Sequence, residues 1–121
     1  MKFTQFAAAL GASAFLFAGT VEAKAHAHLV TSIPAAKAVV ASPVTISVAF
    51  NENLEAKFSG FDVTSAAGAK IALAPTLDPK DKKMLVAAPQ APLAPGVYKL
   101  AWHVVGSDGH KIEGAYDFTV K

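Results

Sequence analysis

Cysteine and arginine are both missing from the 121 residues, and no apolar run is long enough to cross a bilayer. Without cysteine the chain has no disulfide, thiolate metal site, thiol chemistry or lipid-anchored cysteine, so any metal must be held by nitrogen and oxygen. Without arginine, eleven lysines against nine acids give a formal net charge of +2. That is poor material for nucleic-acid binding, which relies on clustered positive charge and forked guanidinium contacts. A chain of 121 residues supports one small domain, too little for an interdomain cleft or a large cofactor fold. Helical periodicity of ten or more residues is also lacking after the first 25 positions.

The first 25 residues differ from the rest. Lys2 supplies a short basic start, residues 6–18 carry no charge, and Ala23-Lys24-Ala25 matches an A-x-A cleavage pattern. These features predict a signal peptide over 1–25 and a mature, exported domain over 26–121. The uncharged run is shorter than the roughly 20 residues needed to span a ~30 Å hydrocarbon core, so no membrane insertion is expected after processing. The mature domain keeps nine lysines and eight acids and is close to neutral. Three cuts are open, after Ala23, Ala25 or Ala27. The cut after Ala25 is preferred, and it makes His26 the first residue.

The mature chain reads as short strands separated by turns. Val44, Ile46, Val48 and Phe50 alternate with Thr45, Ser47 and Ala49, the period-2 pattern of a strand with one buried face. The same alternation puts Tyr98, Leu100, Trp102 and Val104 on one face, and Tyr116, Phe118 and Val120 on another. Weaker strand signals lie at 29–32, 60–64, 69–73 and 83–87, divided by Gly68, Pro75, Pro79 and the proline cluster between Pro89 and Pro95. Seven short strands in about 100 residues predict an all-β, seven-stranded Greek-key barrel or sandwich of immunoglobulin-like or cupredoxin-like size. Residues 51–59 read as an exposed loop with one helical turn, and 80–83 as a lysine-rich solvated turn.

Four histidines are the candidates for chemistry. Alternation turns His103 away from the face of Trp102, which makes it an exposed strand residue. His110 lies in Ser107-Asp108-Gly109-His110 between two strands. The simple reading is a hairpin turn built on Asp108-Gly109. The alternative is that Asp108 and His110, about 6.6 Å apart at Cα if locally extended, ligate one metal. An N-terminal His26 would add its α-amine and ring Nδ1. The resulting set of three nitrogens and one oxygen suits Cu(II), which tops the divalent affinity order, rather than tetrahedral zinc. A competing site uses only the terminus: in His26-Ala27-His28, the amine, two backbone amide nitrogens and the His28 ring can wrap Cu(II). It requires backbone amides free to turn inward, whereas residues from Leu29 onward read as a strand.

At these residues the chain resembles the CopC family of periplasmic copper-resistance proteins. The resemblance rests on His26-Ala27-His28-Leu29-Val30-Thr31-Ser32-Ile33-Pro34, Phe50-Asn51-Glu52-Asn53-Leu54, Gly96-Val97-Tyr98-Lys99-Leu100-Ala101-Trp102 and Ser107-Asp108-Gly109-His110. It covers essentially all of residues 26–121. It implies a periplasmic Cu(II)-binding protein, one ion per chain, that sequesters copper or delivers it to an inner-membrane copper transporter of the CopD type. It also implies metal ligation by His26, Asp108 and His110, with Glu52 beside the ligands where it can orient one of them. The role of His28 stays open. Some members bind Cu(I) through a methionine-rich loop, but after the leader this chain has only Met84, and one thioether does not make such a site. A Cu(II)-only member is expected.

Three classes of function remain in view. The first is a non-catalytic Cu(II) carrier, in which Asp108 completes the ligand set and leaves little room for a reactive ligand. The second is a copper oxidase or monooxygenase built on the same N-terminal chelate. It would need exposed aromatic surface, whereas Tyr98, Trp102 and Tyr116 are assigned inward. The third is a metal-free immunoglobulin-like module.

Overall fold

The computed structural model describes residues 27–121. The predicted leader, its cleavage site and His26 therefore lie outside the described residues. Among the described residues eight strands form: β1 (Leu29–Ile33), β2 (Val39–Val40), β3 (Ile46–Phe50), β4 (Gly60–Ser65), β5 (Thr76–Asp78), β6 (Asp81–Ala87), β7 (Gly96–Val105) and β8 (Lys111–Val120). One four-stranded sheet has the order β1-β3-β6-β5 and the other β2-β8-β7-β4. The result is an all-β sandwich rather than a closed barrel.

The strand count corrects the sequence reading. The segment 69–73 is not a strand; its ladder contact with β4 is a single bridge between Lys70 and Thr64. The strand that does form nearby, β5, is three residues long between Pro75 and Pro79, too short for alternation to register. β2 is two residues pairing parallel with Val120 and Thr119 of β8, and nothing local marks it. The first strong strand begins at Ile46 rather than Val44, because Val44 lies beyond the sheet with 83% of its surface exposed.

The long hairpin of β7 and β8 pairs ten residues with ten, from Gly96 opposite Val120 to Val105 opposite Lys111. Its alternation is the one read from sequence, with Tyr98, Leu100, Trp102 and Val104 buried and His103 turned to the outer face, half-buried. Inward residues of both sheets, among them Ile46, Val48, Phe61, Val63, Leu85, Leu100 and Phe118, form one core. No polar or charged residue is buried among the described residues. Phe50 and Trp102 meet edge-to-face across the two sheets with ring centroids 5.0 Å apart, a favoured aromatic geometry. Gly114, the cross-strand partner of Trp102, leaves room for the indole, since a Cβ there would collide with the ring.

One end of the sandwich collects the features of interest. The start of β1, the loop 51–59, the β5–β6 turn and the β7–β8 hairpin tip all lie there. The loop 51–59 ties the sheets together. Leu54 N–H donates to the Lys82 carbonyl at 3.0 Å and Glu55 N–H to the Val105 carbonyl at 2.8 Å. The Leu54 side chain is buried, and the expected helical turn is a 3-10 turn at Ala56–Phe58.

Candidate metal centre

The hairpin tip holds Asp108 and His110 by a short network. Gly109 N–H donates to the Gly106 carbonyl at 2.9 Å, and Gly106 N–H to the His110 carbonyl at 3.2 Å. Gly109 has φ +86°, a backbone conformation that glycine adopts without the Cβ clash other residues meet. Asp108 uses its two oxygens differently. Oδ1 accepts from the His110 backbone N–H at 3.0 Å, the local Asx pattern that stabilises a turn, while Oδ2 lies 3.2 Å from His110 Nδ1. The turn reading and the ligand reading of this motif are thus compatible, because the same aspartate shapes the loop and presents a carboxylate beside an imidazole. The imidazole is largely solvent-exposed, whereas three quarters of the Asp108 side chain is covered, with 25% left accessible.

Glu52 stands next to this tip. Its Oε1 accepts from Ser107 Oγ at 2.9 Å, and Asn53 O accepts from Ser107 N–H at 2.9 Å. The carboxylate occupies the space over Gly106, where a Cβ would approach Glu52 Cδ and Oε1 to 2.8 Å. Glu52 therefore braces Ser107, the residue preceding Asp108.

The beginning of the described chain reaches the same end. Ala27 is buried in the core cluster with 2% exposure. His28 N–H donates to Asn51 Oδ1 at 2.6 Å, and Asn51 N–H donates back to the His28 carbonyl at 3.2 Å. Asn51 and Glu52 are consecutive, so His28, Asn51, Glu52, Ser107, Asp108 and His110 form a connected series across the end of the sandwich. The His28 side chain is exposed.

Of the predicted site residues, the structure brings Asp108 and His110 into contact and sets Glu52 against the neighbouring Gly106 and Ser107; His26 lies outside the described residues. Among the described residues no group of three His, Cys, Asp or Glu is placed to hold a metal. The Asp108–His110 pair sets one carboxylate and one imidazole side by side, the oxygen and nitrogen donor types that Cu(II) accepts. His103 is separate. Its ring lies over Gly60, 3.4 Å from a Cβ built there, and it faces Glu113 across the β7–β8 ladder. Met84 sits half-buried on β6 opposite Ala49, an ordinary strand position. Asn51 and Ser107 were not singled out in the sequence. Asn51 directly follows Phe50, which pairs with Leu29, and that register is the signal that would have set it opposite His28.

Residues 29–121 match the CopC domain. The chain belongs to the CopC family. Copper resistance protein C of Escherichia coli is 40% identical over 109 residues, spanning 82% of this chain and 84% of that one. Protein YobA of Escherichia coli strain K12 is 42% identical over 99 residues, spanning 80% of each chain. The crystal structure of PcoC, a methionine-rich copper resistance protein from Escherichia coli, aligns with a TM-score of 0.74 at 39% identity, covering 79% of this chain and 99% of that chain. The CopC sandwich is thus shared across nearly the whole length of PcoC. Two of these relatives carry names that state a role, and that role is copper resistance rather than catalysis.

Proposed function

We propose that this CopC-family chain is a periplasmic, non-catalytic Cu(II)-binding protein that takes one ion per chain and serves copper resistance. The observation that carries the reading is the Asp108–His110 pair, held at 3.2 Å at the end of the sandwich that also holds the start of β1. In this reading processing after Ala25 frees the α-amine of His26. The amine and ring Nδ1 of His26, the Asp108 carboxylate and the His110 imidazole then form a tetragonal set of three nitrogens and one oxygen, which suits Cu(II). Glu52 orients the tip through Ser107 and Gly106 without ligating.

The donor set contains no soft sulfur. Met84 is the single methionine outside the leader, so no Cu(I) thioether site is included. Burial of Tyr98 and Trp102 supports a carrier over an oxidase or monooxygenase, which would use exposed rings as a substrate platform. The ion is sequestered or handed to an inner-membrane copper transporter of the CopD type.

Native mass spectrometry of the protein isolated from the periplasm, with and without one equivalent of Cu(II), tests the reading. A mass that begins at His26 and gains one copper supports it. A different first residue, or no copper uptake, overturns it.

A further inference from the structure

The triplet His26-Ala27-His28 contains its own planar chelate, in which an amine, two backbone amide nitrogens and the His28 imidazole surround a Cu(II) or Ni(II) ion. That chelate exists only if the Ala27 and His28 amides give up their hydrogens and rotate, with the His28 ring, into one plane around the metal. In the folded chain the His28 amide is committed elsewhere. The β1–β3 ladder pairs Leu29 with Phe50 and continues one step beyond the strand, where Asn51 N–H donates to the His28 carbonyl at 3.2 Å. The opposite bond of that step comes from a side chain: His28 N–H donates to Asn51 Oδ1 at 2.6 Å. Ala27 is anchored in the core with 2% exposure.

We propose that Asn51 is a specificity-determining residue, whose side-chain oxygen holds the His28 peptide out of the metal's reach and so prevents the terminus from acting as a planar nickel and copper chelate. The consequence is selective. Ni(II) shares with Cu(II) the preference for a planar nitrogen set, and an open His-Ala-His terminus would take either ion without any help from the hairpin. With the His28 amide engaged, the His26 donors are left to act with Asp108 and His110, and nickel loses the site that suits it. This inference rests on the reading of His26 as the first residue of the mature chain.

The test uses the full processed protein, its first residue checked by mass, as wild type, Asn51→Ala, Asn51→Asp, and Asn51→Ala combined with His28→Ala. Each receives one equivalent of Ni(II), and formation of the planar, diamagnetic complex is followed by visible absorption. Wild type and Asn51→Asp, which keeps an acceptor oxygen, are expected to form none. Asn51→Ala is expected to form it with about 10- to 100-fold tighter nickel binding, and the added His28→Ala to abolish it. A wild type that already forms the complex, a folded Asn51→Ala that does not, or an Asn51→Asp that behaves like Asn51→Ala would each overturn the proposal. Hydrogen exchange at the His28 amide in the wild type needs no variant to fold: protection is expected, and exchange at the rate of an open terminus overturns the clamp. An Asp108→Ala chain whose Cu(II) spectrum is unchanged would overturn the hairpin ligand of the proposed function and, where that spectrum is of a planar four-nitrogen site, the clamp with it; failure of the nickel experiment alone overturns only the clamp.

Discussion

Glu52 and Gly106 are fitted to one another at the end of the sandwich, with so little room between them that a Cβ on residue 106 would stand 2.8 Å from the Glu52 carboxyl carbon. The fit links the loop after β3 to the hairpin that carries Asp108 and His110. Gly106→Ala should therefore displace the Glu52 carboxylate, break its 2.9 Å bond from Ser107 Oγ and destabilise the fold by about 1–3 kcal/mol, the usual cost of overpacking. Urea unfolding of the apo-protein measures this. An unchanged midpoint would mean that the carboxylate swings away freely and braces nothing.

Asp108 has two tasks that two substitutions separate. Asp108→Asn keeps an oxygen to accept from the His110 N–H but removes the carboxylate charge, while Asp108→Ala removes both. Both variants should weaken Cu(II) binding by at least about tenfold and change the electron paramagnetic resonance spectrum, because each loses the charged oxygen donor. Only Asp108→Ala should also loosen the turn, seen as faster amide exchange at His110. Retention of the wild-type spectrum in both would exclude Asp108 as a ligand.

Cu(II) binding should fall steeply from about pH 8 to about pH 5, since amine and imidazole nitrogens ligate only after losing their protons. Copper titrations against a competing chelator at several pH values measure the slope. A flat profile would be incompatible with a nitrogen-dominated site.

Leu54 closes the core beneath the end that carries Asp108 and His110 and is buried at 6% exposure. Leu54→Ala should cost about 2–5 kcal/mol, the range for truncating a buried leucine. The loss should come with weakened copper binding, because the backbone of the same residue joins Lys82 to Gly106. Chemical denaturation and a copper titration on the same sample check both.

Tyr116 donates from its hydroxyl to the Pro34 carbonyl at 2.8 Å, and burial raises its pKa above the ordinary 10.0, with a hydrogen bond involving Ser32 partly opposing the rise. A group whose folded pKa is raised contributes stability that is complete below the unfolded value and is lost as pH climbs through the folded one. Stability should therefore decline above about pH 10, and Tyr116→Phe should flatten that decline while lowering stability at neutral pH by about 1 kcal/mol for the lost hydrogen bond. Equal alkaline slopes in the two proteins would assign the loss to other groups.

The parts of this protein that could be read without coordinates are those set by local repetition. Alternation along β7 and β8 identified the buried faces of Tyr98, Leu100, Trp102, Val104, Phe118 and Val120 because side chains in a strand point to opposite sides in turn. The same logic failed at 69–73, where apolar residues run beside a turn without a partner strand along most of their length. It also failed at Val39–Val40, a strand only because Thr119 and Val120 pass beside it.

At the end that carries Asp108 and His110 the division is similar. The chain alone established the absence of thiol ligands and the D-x-H spacing, as both are matters of composition and order. It also left two coordination modes open for the same terminus. Only the tertiary structure decided that the Asp108 carboxylate meets the His110 ring, that Glu52 stands over Gly106, and that Asn51 engages the His28 peptide across 23 residues of sequence. The last two contacts join residues from different loops, and their geometry follows from the register of β1 on β3 and from the loop 51–59 crossing between the two sheets. Such long-range register is fixed by burying both sheets' apolar faces together, which no short window of sequence encodes.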